Sequence, residues 1–217
     1  MGGVALVRVL IFDLDGTLAE TRLDIAAAAN HALRTVGLAE MPVARITTFV
    51  GEGAGKLIER CLGARQDLFA PAMAAWTAHY EIHLLDTSVL YEGVAATLAR
   101  LPAPLAVLSN KPAGMTKTIL DGLGIARYFA EALGGDSLPV KKPDPAGIMH
   151  LTRSTGAQTA VLIGDTPIDV GTARAAGIPC WGAAYGFAGR AALAYAGADA
   201  IFERFEDVAA MADLLTD

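Results

Sequence analysis

Two aspartates stand two residues apart in Asp13-Leu14-Asp15-Gly16-Thr17, directly after an apolar run over residues 4–12 that only Arg8 interrupts. In an extended chain, period-two spacing turns both carboxylates the same way. Two carboxylates at one strand end are costly unless a cation joins them, and Gly16 permits a sharp turn behind them. A second acidic segment follows another apolar run, in Ile163-Gly164-Asp165-Thr166-Pro167-Ile168-Asp169. Gathered at one point, such strand-end acids make an all-oxygen site, the donor set that suits Mg²⁺. Ser109-Asn110-Lys111 follows a third apolar run, and Lys142 precedes Pro143-Asp144-Pro145.

The elements that must position these residues are legible from hydrophobic patterning. Continuous apolar runs over 4–12, 105–108 and 160–163, with shorter ones over 179–182 and 198–202, indicate strands covered on both faces, as in parallel sheets. Helical patterns over 115–123, 145–155, 167–176 and 205–215 lie between or after them, the first three stopped by Gly124, Gly156 and Gly177. Strands alternating with helices from residue 91 onward predict an α/β fold with a doubly wound parallel-sheet, Rossmann-like core. In such sheets ligands bind beyond the carboxyl ends of the strands, which is where the acids, the serine and Lys142 fall. Residues 20–90 contain no strand-like run of that quality and read as helices over 24–36, 42–49, 54–62 and 71–85. The expected organisation is a core of residues 1–19 and 91–217, with residues 20–90 inserted after the first strand as a helical cap over the site.

Bulk composition narrows the function classes. The chain has 217 residues, 53% hydrophobic and 18% charged, enough for a substantial core and against disorder. Its net charge is −6 with no basic stripe, so nucleic acid is not an expected partner. Positive charge must be concentrated at the site by a metal and a few lysines. Cys61 and Cys180 form no metal motif and read as reduced thiols. No run reaches the 18 apolar residues of a membrane span, and aspartates stand where a leader cleavage site would be. A cytoplasmic protein with no membrane partner is expected; oligomeric state is open.

The order and placement of the Asp13–Asp15 segment, Ser109-Asn110-Lys111-Pro112, Lys142-Pro143-Asp144-Pro145 and the Asp165 segment resemble the four motifs of the haloacid dehalogenase superfamily. Gly134-Gly135-Asp136 and Tyr185-Gly186 add a resemblance to the phosphoglycolate phosphatases within it. The resemblance runs over almost the whole chain, specific in the core and weaker in the cap. It implies a phosphomonoester hydrolase acting through an aspartyl phosphate on a small phosphorylated metabolite, 2-phosphoglycolate first. Asp13 would attack phosphorus, and Asp15 would protonate the leaving oxygen and then deprotonate water. The Asp13 carboxylate, the Asp15 backbone carbonyl and the Asp165 carboxylate would hold Mg²⁺. Ser109, the Asn110 backbone and Lys142 would bind phosphoryl oxygens, and Asp169 would support the metal from behind or through water. Asp169 has a plainer reading as a helix-start charge. Lys56, Arg60 and Lys111 are candidates to meet the rest of the substrate.

Rival readings share the scaffold. Asp15 argues against a dehalogenase, and Leu14 against a cation-pumping ATPase. Another phosphatase, a pyrophosphatase or a sugar-phosphate mutase is harder to separate, although Asn110-Lys111 departs from the mutase pattern. A receiver-like phosphoacceptor domain would carry its acceptor on a middle strand and no helical insert. Gly51-Glu52-Gly53-Ala54-Gly55-Lys56 fails the nucleotide-loop spacing and reads either as a substrate contact or as a flexible loop between helices. His79 and His83, four apart on a helix, lack an evident third ligand and read as a solvated face, and Lys141 reads as a solvated neighbour of Lys142.

Overall fold

The computed structural model describes residues 7–101 and 103–214. The first strand, β1 (Arg8–Phe12), begins later than expected; residues 4–6 of the predicted run lie outside the described residues. The chain then forms a two-residue strand β2 (Ala19–Glu20) and four helices, α1 (Arg22–Thr35), α2 (Val43–Thr47), α3 (Ala54–Leu62) and α4 (Phe69–Ile82). It returns through β3 (Val89–Leu90) and α5 (Val94–Leu98). The remainder alternates as β4 (Leu105–Leu108), α6 (Ala113–Gly122), β5 (Glu131–Leu133), α7 (Ala146–Ser154), β6 (Thr159–Gly164), α8 (Pro167–Ala176), β7 (Cys180–Ala183), α9 (Gly189–Ala196), β8 (Ala200–Phe202) and α10 (Asp207–Asp213).

Six strands make one sheet in the order β5-β4-β1-β6-β7-β8, every neighbouring pair parallel. Phe12 aligns with Val107 on one side and Ile163 on the other. Alternate residues feed the two faces: Leu10, Phe12, Val107 and Ile163 belong to one buried cluster, and Val9, Ile11, Ala106 and Leu162 to the other. A strand covered on both faces has no polar positions to spare, hence the continuous apolar runs. The order reverses beside β1, since β4 and β6 flank it, and this is the crevice where α/β sheets bind ligands.

The helices between β2 and β3 pack into the first cluster through Ile25, Ala29, Leu33, Ile58, Trp76 and Tyr80. Their entry and exit are tied together by antiparallel pairing of Ala19 with Leu90 and Glu20 with Val89. Buried Asp24 reinforces the junction: its carboxylate accepts from both the amide and the hydroxyl of Thr87 and of Ser88, at 2.6–3.1 Å.

The expected doubly wound sheet is present, with several elements not anticipated. Strands β2 and β3 are two residues each, too short to carry a period, and β5 is a three-residue edge strand beginning with a glutamate. The short α5 and the alanine-rich α9 were also unread. The last helix runs Asp207–Asp213 rather than 205–215, whose final residue lies outside the described ones.

Candidate active site

Three strand ends deliver polar groups to one point. Asp13 follows β1, and its amide still donates to the Ile163 carbonyl at 2.8 Å, so the β1–β6 ladder fixes it. Asp165 follows β6, and Ser109 follows β4 with its amide held by the Leu133 carbonyl at 2.9 Å. The Lys142 ammonium lies 3.0 Å from Asp13 Oδ2 and 2.7 Å from Asp169 Oδ1. Asp169 sits at the third position of α8, where its Oδ2 accepts from the Thr166 amide and hydroxyl at 3.1 and 2.7 Å. Thr166 and Asp169 form a capping box, with Pro167 at the first helical position, so one carboxylate starts the helix and holds the lysine. Asp165 accepts from Thr17 Oγ1 at 3.1 Å and from the Phe187 amide at 2.6 Å.

Among the described residues, Asp13, Asp165 and Asp169 are the acids whose oxygens converge, one from each lying within 4.8 Å of the others. All three are buried, Asp165 and Asp169 fully. Burial pushes the Asp13 carboxyl up to about 7; Lys142 opposes this, while Asp169 and Asp15 add to it. Burial, then Asp169 and Asp13, hold Asp165 well above the usual carboxylate range. Burial alone would lower the Lys142 ammonium, but Asp13 and Asp169 outweigh it and raise it.

This donor set fits a hard divalent cation. Three carboxylates and one ammonium leave two negative charges in excess, and all the donors are oxygens. Burial and mutual repulsion raise Asp13 and Asp165, and a cation held among them would offset both effects. Space is kept for the carboxylates by glycines. A Cβ on Gly16, whose φ is +81°, would lie 2.2 Å from Asp165 Oδ2; one on Gly186 would lie 2.2 Å from Asp165 Cβ, and one on Gly164 2.3 Å from Asp169 Cγ.

Asp15 stands apart from that trio. Its Oδ1 accepts from Thr21 Oγ1 at 2.6 Å and pairs with Lys111 Nζ at 3.1 Å. Lys111 in turn donates to the hydroxyl of Tyr80, a fully buried residue of α4, at 2.7 Å. Burial would lower Lys111, but Asp15 and Tyr80 outweigh it and raise it. Asp13, Asp15, Ser109, Asn110 and Lys111 line one small cavity of about 40 Å³, walled by Ile25, Val50, Leu57, Trp76 and Phe187.

The structure thus gathers Asp13, Asp15, Ser109, Asn110, Lys111, Lys142, Asp165 and Asp169. It does not bring Lys56 or Arg60 to the cavity lining. Lys56 is half-exposed and paired with Glu59 at 2.6 Å, and Arg60 is held by Glu52 and, at 3.2 Å, by the Phe49 carbonyl. Intrahelical or near-neighbour acids capture both. Lys141 is exposed yet not merely solvated, since it donates to the Glu52 carbonyl at 2.7 Å. His79 and His83 do not form a plain solvated face: His31 of α1 stacks edge-on against His79, and His79 against His83, with ring centroids 4.3 Å apart in each pair. Sequence reasoning gave no role to Thr17, Thr21, Tyr80 or Phe187. Thr17 stood within the acidic motif and Phe187 directly after Tyr185-Gly186; nothing local marks Tyr80.

Comparison with known proteins identifies the family. The family model for haloacid dehalogenase-like hydrolases matches residues 10–183. The phosphoglycolate phosphatase of Rhodospirillum rubrum is 39% identical over 212 residues, covering 91% of this chain and 88% of that protein. That of Yersinia pseudotuberculosis is 36% identical, covering 93% and 91%. A crystal structure of a predicted phosphoglycolate phosphatase from Haemophilus somnus superposes with a TM-score of 0.90 at 32% identity, covering 96% of this chain and 99% of that one. With the matched segment running from β1 through β7 and so taking in every acid, serine and lysine of the cluster, the chain belongs to the haloacid dehalogenase-like hydrolases.

Proposed function

We propose that the protein is a Mg²⁺-dependent phosphomonoester hydrolase of a small phosphorylated metabolite, with 2-phosphoglycolate the first candidate, and that it works through an aspartyl phosphate on Asp13. The observation that carries the reading is the partition of two neighbouring carboxylates: Asp13 lies with Lys142 and the acid trio, while Asp15 faces the same cavity on separate partners. One fold thereby gives two carboxylates different tasks. The relatives named phosphoglycolate phosphatase supply the substrate candidate.

An Asp13 oxygen attacks phosphorus as the bond to the leaving oxygen breaks. Two bonds occupy Asp15 Oδ1, which leaves Oδ2 to hand its proton to that oxygen. Water then attacks the phosphoryl group, Asp15 Oδ2 takes its proton, and the Asp13 carboxylate is released. Ser109, the Asn110 backbone and Lys142 bind the phosphoryl oxygens. The Asp13 and Asp165 carboxylates and the Asp15 carbonyl would hold Mg²⁺, whose charge opposes the repulsion between nucleophile and phosphate. Asp169 supports from behind, because its oxygens already serve Lys142 and Thr166. The helices between β2 and β3 act as a cap, and residues 1–19 and 91–217 as the core.

The test is phosphate release across small monoesters, pyrophosphate and hexose phosphates with Mg²⁺. Phosphoglycolate should lead, chelation should abolish turnover, and Asp13→Asn should remove activity while keeping the fold. Substantial turnover by the Asn variant would sink the assignment.

A further inference from the structure

The glycine-rich segment 51–56 has no part in the chemistry above, yet it is bonded to the core at two points. Asn110 is 7% exposed, and its Nδ2 donates to both the Gly51 carbonyl at 2.8 Å and the Lys142 carbonyl at 2.9 Å. One amide group thus spends both hydrogens, one on the helical region and one on the loop that carries Lys142. Beside it, Lys141 Nζ donates to the Glu52 carbonyl at 2.7 Å. Gly51 and Gly53 have φ of +126° and +89°, and each meets the core. A Cβ on Gly51 would lie 2.9 Å from Ile168 Cδ1; one on Gly53 would lie 2.9 Å from Lys141 Nζ and 3.0 Å from the Asn110 carbonyl. Neither glycine is a flexible hinge residue here. They let the loop backbone lie against the Ile168 side chain at one point and the Asn110 carbonyl at the other.

The same loop walls the cavity through Val50, Gly51, Gly53 and Ala54. The loop therefore borders the space that Asp13, Asp15 and Lys111 share. The loop is joined to the core by side chain-to-carbonyl bonds, so this wall of the space moves only when those bonds break.

We propose that Lys141 and Asn110 form a clasp that closes the 51–53 loop over the Asp13–Asp15 cavity, with Lys141 as a positioning residue that sets how readily the cavity opens and, through Asn110, links closure to the Lys142 loop. The link to catalysis rests on the reading of the cavity as a phosphoester site; the clasp itself does not. Asn110 is buried and makes the fixed half. Lys141 is exposed and makes the half that solvent competes for.

Hydrogen exchange on the whole protein tests this without using activity. Lys141→Met keeps the aliphatic stem and removes the donor; Lys141→Arg restores one. Gly51→Ala perturbs the same seam from the other side. The Met and Ala variants should exchange the amides of residues 57–60, at the start of the α3 hydrogen-bond ladder, about tenfold faster than the parent, with exchange of the sheet unchanged, and Arg should restore protection. The Met variant should also lose several-fold in kcat/KM toward the best monoester, recovered by Arg. Parent-like exchange in both the Met and Ala variants would overturn the clasp. Faster exchange in both, in a protein that releases phosphate from no monoester, would leave the clasp standing and remove the phosphatase reading.

Discussion

A carboxylate's task is set by what already occupies its oxygens. Asp13 and Asp15 are one residue type two positions apart, yet Asp13 is drawn into a buried charge cluster and Asp15 toward Thr21 and Lys111. General acid catalysis typically contributes about 10²–10⁴-fold. We therefore expect Asp15→Asn to lose activity by that order toward alkyl phosphates and markedly less toward an aryl phosphate, whose leaving oxygen needs little protonation. Steady-state kinetics on the two substrates checks it, and equal losses would contradict the role. The convergence of Asp13, Asp15, Ser109 and Asp165 is legible because strand-end position and residue type are both local, and that of Lys142 because its loop precedes a proline-flanked helix start. Lys56 and Arg60 do not line the cavity, because their neighbours Glu59 and Glu52 bind them outside it, and side-chain direction on a helix is not written in the spacing alone. Tyr80 was invisible because its partner Lys111 is 31 residues away.

At the scale of elements, apolar continuity announced the central strands, and proline and glycine announced the ends of α6, α7 and α8. What escaped was short or polar. The antiparallel β2–β3 pair has two residues a side, and it is stabilised by a side chain rather than by its own length. Asp24 bears that load: buried, it satisfies four donors of Thr87 and Ser88. Removing it leaves the Ser88 amide and hydroxyl buried without that acceptor, while those of exposed Thr87 can turn to water. Asp24→Ala should destabilise the protein by about 3 kcal/mol, a loss of several degrees in Tm, measured by denaturant and thermal unfolding. A change under about 0.5 kcal/mol would show that water replaces the carboxylate at no cost.

On the scale of the molecule, the histidine stack between α1 and α4 ties stability to pH. Burial, then His31, His83 and Arg34, lower His79 below its ordinary value of 6.5, with Asp86 opposing. The unfolded chain then binds more protons than the folded one just below that value, so stability is complete above about pH 6.5 and declines as pH falls toward the folded pKa. His79→Gln should flatten the decline in Tm between about pH 7 and pH 5 relative to the parent. Parallel curves for the two proteins would remove His79 from the acid response. No helix among the described residues is long and apolar enough to cross a membrane.

The glycines pressed against the acids carry a further consequence, for how the site tolerates mutation. Gly16 and Gly186 leave no volume beside Asp165, and Gly164 leaves none beside Asp169. An added methyl group at any of them has nowhere to go except into a carboxylate, and a carboxylate that shifts by an ångström no longer converges with the others. The mutational footprint of the site therefore extends to residues that bear no side chain and perform no chemistry. At these positions the smallest substitution is already the damaging one.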